Sequence, residues 1–179
     1  MSVIDKVVAA VLPGPSEQAL QDARAKARAL AGKTGWLSSV LDHHQQIENC
    51  FVAVKQAGSA SGRKKAQKQL ALMLTGHSIA EESVLYAAMA PNGQTGGSNR
   101  LYAEQSSAKV AMAALDALEP MSQAYLDQLE LIRSAVARHV YAEESDYFPK
   151  LKSEADTATQ AKLSRKYKEE FERYVGPAV

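Results

Sequence analysis

The chain has 179 residues, 46% hydrophobic and 23% charged, with a formal charge of +1. That length suits one domain with a sizeable buried core, and the charge balance excludes general affinity for nucleic acid. Cys50 is the single cysteine, which excludes an internal disulfide framework and suits a reducing, cytoplasmic compartment.

No apolar run has the length of a membrane span. Val3, Ile4, Val7, Val8, Val11 and Leu12 are apolar, but Asp5 and Lys6 interrupt them and Pro13-Gly14-Pro15 follows. This stretch is not read as a signal peptide.

The first expected helix covers about 17–31, after an N-cap at Ser16. Ala19, Leu20, Ala23, Ala27 and Leu30 give it a thin apolar stripe, with Arg24, Lys26 and Arg28 on its surface. The second starts near Trp36 and ends before Gly58, and His44, Ile47, Phe51 and Val54 share one of its faces. A turn at 58–62 precedes a third helix over about 64–89, with Leu70, Met73, Leu74, His77, Glu81 and Leu85 in its stripe. Residues 91–98, with three glycines, read as a loop. A fourth helix over about 101–118 is broken by Glu119-Pro120. A fifth over about 123–147 is stopped by Pro149 and carries Leu126, Leu129, Ile132, Val136, His139 and Glu143 on one side. A charged helix over about 158–174 closes the chain.

No segment alternates as a strand does, so the class is all-α. Short connections between long helices favour an up-down-up-down four-helix bundle. The expected organisation is an N-terminal helical extension (1–35), the bundle (36–151) and a C-terminal helix (152–179). The extensions either cap the bundle or bind a protein partner.

Two stretches repeat. His77-Ser78-Ile79-Ala80-Glu81-Glu82-Ser83 and His139-Val140-Tyr141-Ala142-Glu143-Glu144-Ser145 agree at five of seven positions. An aromatic residue, Tyr86 or Phe148, follows each histidine by nine. Histidine and glutamate four apart lie one turn apart on a helix face, so an imidazole nitrogen and a carboxylate oxygen can reach one metal or two adjacent ones. A single such pair is most often a surface contact. Two copies on two apolar stripes point inward, where unpaired carboxylates are costly and no core Arg or Lys lies nearby in sequence. A metal cation supplies the missing charge.

The first helix of each hairpin should add a ligand. Adjacent residues cannot both face one site, so His44, on the apolar face, is preferred to His43, which is read as an outer-sphere or surface histidine. The steps from His44 to His77 and from Gln105 to His139 are 33 and 34 residues, which makes Gln105 the counterpart of His44. Gln105 either binds the metal weakly or hydrogen-bonds a bound water, while Glu104, one residue off, is the better ligand by type. Glu82 and Glu144 are read as solvated or outer-sphere acids. Tyr86 and Tyr147 either reach a bound species or pack at the bundle end with the hydroxyl in water. Cys50 is read as core packing.

Together Asp42-His43-His44-Gln45-Gln46-Ile47, His77-x-x-x-Glu81-Glu82, Glu104-Gln105 and His139-x-x-x-Glu143-Glu144 with Tyr147-Phe148-Pro149 resemble the hemerythrin-like, HHE cation-binding family. The resemblance spans about 36–151. It implies a four-helix bundle with a non-haem di-iron centre, bridged by oxo or hydroxo or by carboxylates. His44, His77, Glu81, His139 and Glu143 are then the metal ligands. Carboxylate-rich donors suit Fe and also Mn, with Zn a further candidate. The family usually has a histidine where Gln105 stands, and its oxygen carriers have further histidines on the third helix. With four histidines in all, this chain departs from a simple oxygen store. The expected ligands are O2, NO or peroxide, in sensing, stress response or iron handling. An iron-dependent peroxidase or catalase-like enzyme and a protein-interaction helical module are the alternatives.

Overall fold

A computed structural model describes residues 14–90 and 95–176 of the chain. The apolar stretch near the N-terminus and residues 91–94 of the expected loop lie outside them. Among the described residues the structure is helical, without a strand.

Helix α1 (Glu17–Ala31) begins where Ser16 Oγ accepts the Ala19 N–H. Its buried face is Ala23, Ala27 and Ala31, a stripe of methyls that lets it lie close. The bundle is α2 (Trp36–Gln56), α3 (Ala60–Ala80), α4 (Thr95–Asp116) and α5 (Gln123–Ala142). Neighbours in sequence pack against each other as two hairpins. Past α5 come α6 (Phe148–Glu154) and α7 (Thr157–Val175). Helix α7 lies on α2 and α3 and buries Leu163, Tyr167 and Phe171, while α1 lies on α2 and α5. Both terminal helices therefore turn an apolar face onto the bundle, although Leu30 of the expected α1 stripe is exposed.

Arg63 pins one end. It is buried, yet it donates to the carbonyls of Val54, Lys55 and Ala57 and to that of Pro120. One guanidinium thus satisfies the orphan carbonyls that end α2 and ties them to the α4–α5 turn. Leu70, Phe51, Val54, Leu115 and Leu129 are buried in the core.

Four element bounds differ from the sequence expectation. Helix α3 starts at Ala60, because Ser59 caps it by accepting from Gly62; only Gly58 and Ser59 of the expected turn lie outside it. Helix α4 starts at Thr95, six residues before Leu101. There Gly97 serves close packing, since a methyl on it would collide with the Tyr147 ring. Pro149 does not stop the chain; it occupies the first turn of α6, where the missing N–H costs nothing.

The fourth difference matters most. Neither α3 nor α5 runs on as a plain α-helix. At Glu81–Tyr86 and again at Glu143–Tyr147 the chain widens into a π turn. Each begins at the acid of a His-x-x-x-Glu unit. A π turn bonds i to i+5, so the residue five beyond each acid swings toward it; in an α-helix it would stand about 140° round.

Candidate metal centre

The two acids of the repeat meet at the bundle axis. Glu81 and Glu143 are both 0% exposed, and each divides its carboxylate between two poles. At one pole, Glu81 Oε1 lies 3.1 Å from His77 Nε2 and 3.7 Å from His44 Nε2, and Glu143 Oε2 lies 3.3 Å from His44 Nε2. These four residues offer ligand atoms within 4.8 Å of one another. At the other pole, Glu143 Oε1 lies 3.3 Å from His139 Nε2. There the Tyr86 hydroxyl donates to Glu143 Oε1 at 2.6 Å and approaches Glu81 Oε2 at 3.2 Å. Gln105 Nε2 donates to Glu81 Oε2 at 2.7 Å and lies 3.3 Å from His139 Nε2.

The first pole is left without hydrogen bonds. His44 Nε2, His77 Nε2, Glu81 Oε1 and Glu143 Oε2 are buried and unpartnered, as is Gln105 Oε1. Buried polar atoms are nearly always paired. Two imidazole nitrogens and two carboxylate oxygens aimed at one another are satisfied together by a cation that displaces any proton on the imidazoles. The donor set therefore fits a metal site of the N,O type.

Each inward imidazole is held from behind. His44 Nδ1 meets Glu144 Oε1 at 2.8 Å, His139 Nδ1 meets Glu104 Oε2 at 3.0 Å, and His77 Nδ1 meets the Tyr167 hydroxyl at 3.0 Å. Such outer partners fix the tautomer that leaves Nε2 free for a metal. Glu144 is itself buried and is held by Arg24 Nε of α1 at 3.0 Å. Arg24 also reaches Glu48, so its place is not the free surface expected from the sequence.

Electrostatics match an acid cluster held by protons. Burial raises the Glu81 carboxyl, and the nearby Glu143 adds to this, up to about 7. Burial would also raise Glu143, but His139 and His44 hold it well below the ordinary range. Burial opposes charge on His139, yet Glu143 and Glu104 lift it to about 10. His44 is likewise lifted well above its ordinary value, against its burial, by Glu143, Glu144 and Glu81. His77 falls well below through burial and the neighbouring His44.

The structure thus brings His44, His77, Glu81, His139 and Glu143 together. Gln105 faces the interior, whereas Glu104 stands behind His139 and also accepts from Arg100 at 2.8 Å. His43 is half-buried, with Nδ1 2.9 Å from the Tyr167 hydroxyl. Glu82 pairs with Lys109 near the surface. Tyr86 is fully buried with its hydroxyl inside the cluster; the π turn aims it there. Tyr147 is not its equivalent: its ring packs on Gly97 of α4, and the residue five beyond Glu143 is Phe148. Cys50 is half-buried against the core. Arg24 and Tyr167 carried no local sequence signal of their role.

The hemerythrin HHE cation-binding domain model matches residues 37–151. The chain belongs to this family. A DNA nickase from Nostoc sp. (strain PCC 7120 / SAG 25.82 / UTEX 2576) is 25% identical over 125 residues, which are 70% of this chain and 36% of that protein. The HHE chain thus spans about a third of that relative's length. No solved structure matches. Among its described residues no helix is long and apolar enough to cross a membrane. Arg24 on α1 and Tyr167 on α7 fall outside the matched HHE segment, yet both reach its cluster.

Proposed function

We propose that the chain holds two iron ions between His44, His77, Glu81, His139 and Glu143 and binds O2, NO or peroxide there, in sensing, stress response or iron handling. The observation that carries this reading is the division of the Glu81 and Glu143 oxygens between two poles. Carboxylates so arranged can bridge two ions. His44 and His77 would serve one ion and His139 the other. Mn would suit the same oxygen-rich donors, and Zn the imidazoles. When bound, the iron pair would supply redox chemistry and an open coordination position. Gln105, in place of an imidazole, leaves the His139 pole poorer in nitrogen and is the reason to expect that opening.

The chain's own residues shape access. A cavity of about 140 Å³ reaches His77, Gln105 and His139, with Leu74, Met112, Val136 and Val140 in its wall. Drug-sized ligands need a few hundred Å³, so this space suits a diatomic molecule or peroxide. Its apolar wall restricts water near the site.

An iron-dependent peroxidase or catalase-like enzyme is the second reading, favoured by Tyr86, whose buried hydroxyl holds a proton beside Glu143, His139 and Gln105. The interaction-module reading is less favoured, because α1 and α7 each pack an apolar face on the bundle. Nothing in a formal charge of +1 favours transfer of the DNA activity named for the Nostoc protein.

Aerobic purification tests the reading. About two irons per chain with near-ultraviolet absorption of a bridged pair is expected. A folded protein that takes up no metal would sink it. Turnover of added peroxide then separates an enzyme from a sensor.

A further inference from the structure

Of the three imidazoles that converge, His77 is the one without an acid behind it. Its outer partner is Tyr167 of α7, a fully buried residue outside the segment that the family model matches. The Tyr167 hydroxyl lies 3.0 Å from His77 Nδ1 and 2.9 Å from His43 Nδ1. The hydroxyl has one hydrogen to give, so at most one of the two nitrogens accepts from it and at least one must donate.

The cluster decides the direction. His77 Nε2 faces inward without a hydrogen-bond partner, 3.1 Å from Glu81 Oε1. A metal there needs the Nε2 lone pair, which places the His77 proton on Nδ1. His77 then donates to Tyr167, which leaves the Tyr167 hydrogen free for His43 Nδ1. The His43 ring is fixed for that task, stacked on Phe171 with centroids 3.6 Å apart. Gly76, next to His77, admits α7 this closely: a Cβ there would stand 2.5 Å from Val175 Cγ2.

We propose that Tyr167, backed by His43, is a positioning residue of the metal centre, holding His77 with Nδ1 protonated and Nε2 turned to the metal. The proposal rests on the metal-centre reading above. It gives α7 a function that packing alone would not require. It also ranks the imidazoles: His44 and His139 gain basicity from the carboxylates of Glu144 and Glu104, while His77 is oriented by a neutral group and gains less.

The test uses the full chain, stripped of metal and loaded with Co2+. In the wild-type protein the His77 Nδ1–H should give a paramagnetically shifted NMR signal that exchanges slowly with solvent. Tyr167→Phe keeps the ring and removes the hydroxyl. It should lower Co2+ affinity about 10- to 100-fold and abolish the slow exchange of that one signal, leaving those of His44 and His139. His43→Leu removes only the far acceptor and should cost about fivefold, the worth of one neutral hydrogen bond; His43→Gln, which can accept, should restore most of it. Tyr167→Phe binding Co2+ within about twofold of wild type, with the His77 signal still slow, overturns the proposal. If Tyr167→Phe does not fold, equal affinities of His43→Leu and His43→Gln overturn it instead. Wild-type protein that binds no Co2+ sinks the metal centre itself, a separate outcome.

Discussion

The Tyr86 hydroxyl bends back across a π turn to stand 3.2 Å from Glu81 Oε2, five residues earlier in its own helix, while it donates to Glu143 Oε1 at 2.6 Å. One phenol thus ties together the two acids of the internal repeat. Its counterpart after Glu143 is Phe148, which packs beside Tyr86 with centroids 6.5 Å apart and has no hydroxyl to give. The two halves of the repeat are alike in acids and unlike in what stands behind them.

Tyr86→Phe should therefore keep the packing and change the chemistry. The lost hydroxyl should cost about 1 kcal/mol or somewhat more in stability. Iron content should stay close to that of wild type, while peroxide turnover or the absorption of the loaded protein changes. Iron content that collapses would make Tyr86 essential to holding the metal, contrary to this account.

His139→Ala should lower bound iron sharply, whereas His43→Ala should leave most of it in place. Metal analysis of both proteins after identical purification gives the answer. Equal losses would show that the inward and outward histidines have been assigned wrongly.

Metal and protons should compete. The carboxylates facing His139 and His44 favour the protonated form of both imidazoles in the metal-free protein, lifting His139 to about 10 and His44 well above its ordinary value. Ligation needs the neutral imidazole, so loading must release protons. Zn2+ affinity should fall as pH drops from 8 toward 6, by about tenfold per unit for each proton displaced, and a pH indicator should acidify on loading. Affinity that is flat with pH and loading that releases no proton would contradict it.

Arg24→Met should destabilise the fold far more than Arg28→Met. Arg24 holds the fully buried Glu144, and a hydrogen bond to a buried charge is worth about 2 kcal/mol, or roughly 4–8 °C in melting temperature for a chain of this size. Arg28 pairs with Asp42, and both side chains are exposed; such pairs are worth about 0–1 kcal/mol. Thermal unfolding of the two variants decides. Equal melting temperatures would mean that Glu144 needs no cation from α1.

The repeat, the helix faces and the choice of His44 over His43 were legible in the sequence, because i, i+4 spacing on an apolar stripe is a local property. The π turns were not, since an i to i+5 ladder has no residue signature, and Tyr86 could not be aimed without it. Pro149 and the glycines after Ala90 read as breaks because Pro and Gly usually are. Here the first turn of α6 tolerates the proline, and the Tyr147 ring needs the space at Gly97. Arg24 and Tyr167 are separated by 120 and 90 residues from the groups they hold, and no spacing rule spans such a distance.

The most direct test of the account is anomalous scattering from crystals of the iron-loaded protein, measured at the iron edge. It predicts two peaks, one against His44 and His77 and one against His139, with Glu81 and Glu143 touching both. A single peak, or two that share neither acid, would contradict it.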